Sequence, residues 1–252
     1  MTIAIKVQAL CFRYPDGTAA LTDVSFTVGT GECVGLLGPN GSGKSTLLRH
    51  LNGILPERLP ASENAVHIEG AAVTKDNVAT VRRRTGLLFQ DPDDQLFCST
   101  VREDVAFGPQ QLGLTPAETD RRVQEALAQV GLTHLAHRPP HHLSAGEKRR
   151  ACLAGVLAST PGILVLDEPT SGLDPRGRRE LILLLRAIAA TKLIATHDLE
   201  LVVELCPRSL ILDGGKVIAD GPTAILLNDE KLMLAHGLER PHILQHVHPH
   251  IQ

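Results

Sequence analysis

The chain contains no uninterrupted apolar stretch of the roughly 18 to 20 residues that a bilayer-spanning helix needs; its best run, Leu181 to Ala190, is broken by Arg186. It is therefore not expected to cross a membrane by itself. The first residues, Met1 to Ala9, carry Lys6 inside a short alternating pattern and lack an apolar core with a small-residue cleavage site, so export is not expected. CxxC spacing is absent. The five cysteines (Cys11, Cys33, Cys98, Cys152 and Cys206) are odd in number and far apart, as expected of reduced thiols acting as small packing residues in a cytosolic protein. Positive charge is not in excess either: the formal net charge of -3 offers no global field to attract nucleic acid. There is neither an internal repeat nor a low-complexity linker. What remains is 252 residues, 43% apolar and 21% charged, enough for one large domain with an attached subdomain and a sizeable core.

Along the chain, Ile3 to Val28 alternates β-favouring residues around Pro15-Asp16-Gly17, which predicts an antiparallel hairpin. Cys33 to Leu37 reads as a short buried strand that stops at a glycine-rich loop, Gly38 to Gly43; Lys44 to Leu51 then predicts a helix closed by Gly53. Thr85 to Phe89 supplies another strand, and from Asp91 onward the chain reads as polar and loop-like. Thr115-Pro116-Ala117-Glu118 is a capping box with proline at the first helical position, followed by Val123, Leu127 and Val130 at helical spacing. Ser144-Ala145-Gly146-Glu147 repeats that pattern and predicts a helix to about Ser159. Ile163 to Leu166 and Leu193 to Thr196 read as strands, Glu180 to Ala190 as a helix, and Leu210 to Ala219 as a hairpin turning at Gly214-Gly215. Alternating strands and helices give an α/β class with a mostly parallel sheet covered on both faces.

Two segments carry chemistry. Gly38-Pro39-Asn40-Gly41-Ser42-Gly43-Lys44-Ser45 satisfies the phosphate-loop pattern GxxxxGK[ST] in full, between a strand and a helix. Its glycines let successive backbone N–H groups surround phosphates, and the helix N-terminus adds a favourable dipole. Lys44 is placed to reach the β and γ phosphates of ATP and Ser45 to ligate Mg2+. Ile163 to Leu166 then delivers Asp167-Glu168 to the C-terminal edge of the sheet, where Asp167 is expected to hold Mg2+ through water and Glu168 to orient or deprotonate the attacking water.

With Leu143-Ser144-Ala145-Gly146-Glu147, Ser171-Gly172-Leu173-Asp174 and His197 after a strand, these segments resemble the ATP-binding subunits of ABC transporters over essentially the whole chain. The resemblance implies a phosphate-loop NTPase core with an N-terminal antiparallel β subdomain and a helical insert, about residues 92–155, within a domain of residues 1–240. It implies a nucleotide site of Tyr14 stacking on adenine, Gly38 to Thr46 (Gly38, Pro39, Asn40, Gly41, Ser42, Gly43, Lys44, Ser45, Thr46), and Ser144, Gly146 and Asp174. Gln90 corresponds to the glutamine loop that touches Mg2+ and couples to the membrane subunit, and His197 to the switch histidine at the γ phosphate. In this family the signature of one subunit closes on ATP held by another, so a second ATP-binding subunit, identical or related, is implied. The segment departs from the commonest signature, LSGGQ, at Ala145 and Glu147; Glu147 can still turn back onto Ser144 as a capping partner.

Leu88 to Phe97, with Val105 to Pro109 and LSAGEKRR from Leu143 to Arg150, is similar to the energy-coupling-factor branch and its cobalt and nickel subgroup. That similarity implies a transmembrane scaffold subunit, a substrate-binding membrane subunit, a peripheral place on the cytoplasmic face of the membrane, and a groove along Pro92 to Gly108 for the scaffold. An importer for a vitamin or another small solute is the alternative. A DNA-maintenance ATPase of the same superfamily needs a long coiled-coil or zinc-bearing insert, yet Lys44 and Ser144 are only 100 residues apart with no cysteine cluster between them. A small-molecule kinase explains the phosphate loop but not Ser144, Asp174 and His197 in order. Five of the twelve histidines fall in the last seventeen residues: His236, His242, His246, His248 and His250. On an extended chain His246, His248 and His250 share one face about 7 Å apart, a candidate Ni2+ or Co2+ site in a tail of residues 241–252.

Overall fold

A computed structural model describes residues 2–61 and 64–239. The histidine tail, and with it His246, His248 and His250, lies outside the described residues. Strands β1 (Ile3–Arg13) and β2 (Ala19–Gly29) form the predicted antiparallel hairpin, and β4 (Val66–Ile68) and β5 (Ala71–Ala72) extend it to a four-stranded antiparallel sheet of order β2-β1-β4-β5. Between them come β3 (Cys33–Leu37) and helix α1 (Lys44–Leu51). Helix α2 (Val78–Arg84) leads into β6 (Thr85–Leu88), followed by three helices in a row, α3 (Val101–Gln111), α4 (Pro116–Gln129) and α5 (Ala145–Ala158). The remainder is β7 (Ile163–Asp167), α6 (Pro175–Ala187), β8 (Thr191–Ala195), α7 (Leu199–Leu205), β9 (Arg208–Asp213), β10 (Lys216–Pro222), α8 (Thr223–Asn228) and α9 (Glu230–Ala235).

The second sheet has order β10-β9-β3-β8-β7-β6, parallel throughout except for the antiparallel edge strand β10. Its central strands are buried on both faces, and the period-two alternation of side chains divides them between two cores. Val34, Leu36, Ile163, Val165, Leu193 and Leu210 pack toward α1 and the antiparallel sheet. Leu164, Leu166, Ile194 and Ile211 pack toward α3, α4, α5 and α7.

The stretch after Asp91 corrects the sequence reading. Instead of remaining a loop it becomes α3, because Thr100 and Glu103 close a full capping box and Val101 and Val105 bury completely. The helix starting near residue 180 begins earlier, at Pro175, where Asp174 caps the N–H of Gly177. The capping box predicted at Ser144 is complete, whereas at Thr115 only the hydroxyl caps the Glu118 N–H, because the Glu118 carboxylate pairs with Arg121 and Arg122 instead of turning back. At the far end, His236 Nδ1 lies 2.8 Å from Asp213 Oδ2 beside the phosphate loop.

Candidate active site

The crossover from β3 to α1 forces the chain through a turn that only glycine tolerates at Gly38: φ is +151°, and a Cβ there would sit 2.0 Å from the Leu212 carbonyl. The loop wraps toward the N-terminus of α1, whose first residue is Lys44. The Lys44 ammonium is buried and donates to the carbonyls of Gly38 (2.7 Å) and Pro39 (3.0 Å). Burial pulls its pKa down, while Glu168 and Asp167 pull it back up. Tyr14, Asn40, Gly41, Gly43, Lys44, Ser45, Thr46, Gln90, Asp167 and Glu168 line one open cleft of about 460 Å³. These ten of the sequence-predicted residues thus converge from four elements, while Gly38, Pro39, Ser42 and His197 are not among the cleft's lining.

Within the cleft several side chains are held by the fold. Burial pushes the Asp167 carboxyl up, and a hydrogen bond with Ser45 pulls it down. Glu168 follows the last residue of β7 in a left-handed conformation, φ +48°, costly for a residue with a side chain. It is held there by its own N–H on Ala195 O (2.8 Å), and Oε2 accepts from Thr196 Oγ1 at 3.0 Å and from the His197 N–H at 3.3 Å. His197 Nδ1 is 2.9 Å from the same oxygen, although the imidazole itself is largely exposed. The β7–β8 register, Asp167 against Ala195, makes this meeting of Glu168 and Thr196-His197 inevitable. Tyr14 is pinned by its hydroxyl to Thr46 Oγ1 at 2.9 Å and by an edge-on contact with Phe12 at 5.0 Å. Ser42 Oγ is buried without a partner among the described residues.

Ser144, Gly146 and Asp174 are not in this cleft. They line a separate depression of about 480 Å³ with Ala145, Glu147 and Gly177. The Glu147 carboxylate accepts from the Ser144 N–H and Oγ–H, both at 2.8 Å, and those bonds hold its pKa down. The reciprocal bond runs from the Glu147 N–H to Ser144 Oγ at 3.3 Å, the capping box that the sequence implied.

Sequence reasoning missed Arg149. It is 2% exposed, and its guanidinium donates to the carbonyls of Phe89 and Gln90, both at 2.6 Å. Nearby, Gln95 accepts from the Phe89 N–H and donates to Cys152 O, and Lys148 pairs with Asp93 at 2.6 Å. The glutamine loop is thereby fastened to α5, the helix that starts at Ser144. Three consecutive basic residues near the start of a helix, Lys148, Arg149 and Arg150, were the only signal, and they did not reveal which one turns inward. Asp198, likewise unforeseen, ties Arg178 of α6 and Thr170 to the turn after His197, with a bidentate pair at 2.6 and 2.7 Å.

A phosphate loop, a strand-end Asp-Glu pair and a capped serine helix on one parallel sheet define a nucleotide-hydrolase cassette. Residues 21–171 match the family model described as ABC transporter, and the chain belongs to that family, whose activity is ATP hydrolysis coupled to transport. Within it the chain is similar to ATPases of the CbiO-like energy-coupling-factor type. It is 55% identical over 238 residues to a putative ABC transporter ATP-binding protein of Streptomyces coelicolor, covering 94% of this chain and 90% of the relative. It is 46% identical over 244 residues to the energy-coupling factor transporter ATP-binding protein EcfA of Carboxydothermus hydrogenoformans, covering 96% and 88%. The solved structure of cbiO1 from Clostridium perfringens, part of the ABC transporter complex cbiONQ, superposes with a TM-score of 0.79 at 36% identity, covering 97% of this chain and 98% of that one. A dimeric ATP-binding cassette in a post-hydrolysis state bound to ADP and Pi gives 0.76 at 26% identity, covering 87% and 98%.

Proposed function

We propose that this chain hydrolyses ATP at a cleft completed by the signature face of a second ATP-binding subunit, and so powers a cobalt or nickel importer of the energy-coupling-factor type. The observation that carries the composite site is the separation of its halves: the phosphate loop and carboxylates line one depression, and Ser144, Gly146 and Asp174 another. The dimeric solved cassette bound to ADP and Pi supports the same arrangement. In this reading Lys44 and the loop N–H groups hold the phosphates, Tyr14 packs on adenine, and Ser144 and Gly146 meet the γ phosphate across the interface. Ser45, Asp167 and Gln90 are the oxygen donors suited to Mg2+, which when bound neutralises phosphate charge. Their fit is supported by the burial that raises the Asp167 carboxyl: a buried carboxylate beside a serine hydroxyl is a site that a cation stabilises. Glu168 takes the proton of the attacking water, and His197 orients that carboxylate and contacts the γ phosphate.

Residues 1–240 form the ATPase domain in this reading, with a helical subdomain of about 92–155, and residues 241–252 a separate tail. The helical side faces the membrane scaffold. Phe97 and Phe107 are 65% and 42% exposed and meet edge to face at 5.0 Å. They border a groove that Phe89, Leu96, Ala151 and Val156 help to line, which suits an apolar docking element. No helix among the described residues is long and apolar enough to cross a membrane, which is compatible with a peripheral place on the cytoplasmic face. Cobalt or nickel rests on the resemblance of the LSAGEKRR segment, Leu143 to Arg150, to the cobalt and nickel subgroup. The likeness to an energy-coupling factor transporter ATP-binding protein supports that type of transporter, for which a vitamin or another small solute is the alternative cargo.

Pull-down from membranes with identification of the co-purifying integral proteins, followed by Co2+ and Ni2+ uptake by the purified complex, tests the assignment. Uptake should require ATP and vanish with Lys44→Ala. A complex that ignores both metals but moves an organic solute overturns the metal assignment and leaves the ATPase assignment intact.

A further inference from the structure

Two cysteines separated by 172 intervening residues meet at the edge of the sheet opposite the nucleotide cleft. Cys33 opens β3, and Cys206 closes α7 just before β9; the parallel register Val34 against Arg208 brings the two starts together. Their sulfurs lie 3.5 Å apart, and closing to a bond requires a further approach of about 1.5 Å, within reach of side-chain rotation.

The pair is chemically asymmetric. Cys206 is 2% exposed, and its thiol is held protonated by the hydrogen bond with Cys33 and by burial. Cys33 is only partly buried. The same bond from Cys206 lowers its pKa, and the Lys192 ammonium beside it acts in the same direction, against burial and Glu32. Lys192 pairs with Cys33 in register, and its ammonium is anchored to the carbonyls of Ile188 and Ala190 rather than to a carboxylate. One sulfur is thus suited to attack and the other to resolve.

We propose that Cys33 and Cys206 form a dithiol that a hydroperoxide closes reversibly to a disulfide. The Cys33 thiolate attacks the peroxide oxygen, breaking the O–O bond and giving a sulfenic acid, while the departing hydroxide takes the proton Cys33 had released. The Cys206 sulfur then displaces the sulfenic oxygen as a second water, surrendering its own proton to it. Two thiols and one peroxide give one disulfide and two waters, or alcohol and water from an alkyl hydroperoxide. The new bond ties the strand that ends in the phosphate loop to the helix that follows His197. It lies about 16 Å along the strand from the first residue of that loop, so it acts on the fold rather than on the reacting atoms. By constraining a very long loop in the unfolded chain it stabilises the native state.

The full chain carrying Cys11→Ser and Cys98→Ser, treated with stoichiometric hydrogen peroxide, tests this. Non-reducing digestion and mass spectrometry should find the Cys33 peptide joined to the Cys206 peptide, with a loss of two hydrogens. The thermal midpoint should rise by several degrees, and dithiothreitol should reverse both changes. Cys33→Ala and Cys206→Ala, checked for folding by circular dichroism, should each abolish the link and the rise. Sulfinic acid at Cys33 with Cys206 still free, a link to Cys152, or a linked protein with an unchanged midpoint would overturn the proposal. None of these readouts depends on nucleotide, so the result stands apart from the transport assignment.

Discussion

At the scale of single residues, the cleft concentrates cost in Glu168 and Asp167. Glu168 occupies a left-handed backbone conformation and spends one carboxylate oxygen on Thr196 and His197. Glu168→Gln keeps those contacts in shape but removes the base, so ATP turnover should fall by about 10²- to 10⁴-fold while ATP binding persists. Steady-state hydrolysis alongside nucleotide titration checks it; a near-native rate would remove Glu168 from its role. Asp167 makes the opposite trade. Its folded-state pKa lies above the unfolded value, chiefly through burial, so the folded chain holds its proton more tightly and ionisation costs stability as pH rises through that range. Asp167→Asn should therefore raise the thermal midpoint by a few degrees at neutral pH in nucleotide-free protein while losing Mg2+-dependent hydrolysis. Because the carboxyl becomes neutral by itself in acid, the gain should shrink as pH falls toward the carboxylate range. Melting curves across pH read the sign directly.

At the scale of elements, α5 joins two parts of the machine, since its first turn carries Ser144 and its second holds the glutamine loop through Arg149. Replacing Arg149 with Leu leaves the part-buried carbonyls of Phe89 and Gln90 without their donor, at roughly 1 kcal/mol each. Arg149→Lys can restore one of those bonds. Chemical denaturation should rank wild type above Lys above Leu; equal stability of the two variants would show that the fork geometry is irrelevant. Much of this level was legible in sequence. The phosphate loop, the Asp-Glu strand end, the Ser144 capping box and the Thr115 cap announce their local structure because short-range hydrogen bonding determines it. What was not legible depends on partners far along the chain. Helix α3 carries Gly108 and Pro109, which argue against a helix, yet burial of Val101 and Val105 against α4 and α5 decides the matter. The inward turn of Arg149, the Asp198 hub and the sulfur pair likewise arise only when distant segments meet. Cysteine spacing, the natural sequence signal, says nothing about a pair so far apart.

At the scale of the whole molecule, a solvent-facing aromatic pair and a nucleotide cleft stand at different places on the surface. Phe97→Asp should leave unfolding and soluble ATPase activity near wild type but abolish co-purification with membrane partners, because a charge in an apolar docking groove costs several kcal/mol. Leu96 does not offer the same clean test: it packs against the core, so Leu96→Asp should also destabilise the fold. Full recovery of the partners with Phe97→Asp would move the docking site elsewhere. The alternation of sheet side chains between two cores has a further consequence, for inheritance rather than for energy. A substitution at Ile163 or Val165 is felt by α1 and the hairpin sheet, and one at Leu164 or Leu166 by α3, α4 and α5. Compensating changes can then arise only on the side that was disturbed, since packed neighbours couple and separated ones add. Drift in this sheet is therefore sorted by residue parity: two histories run along the same strand, one recorded at its odd positions and the other at its even ones.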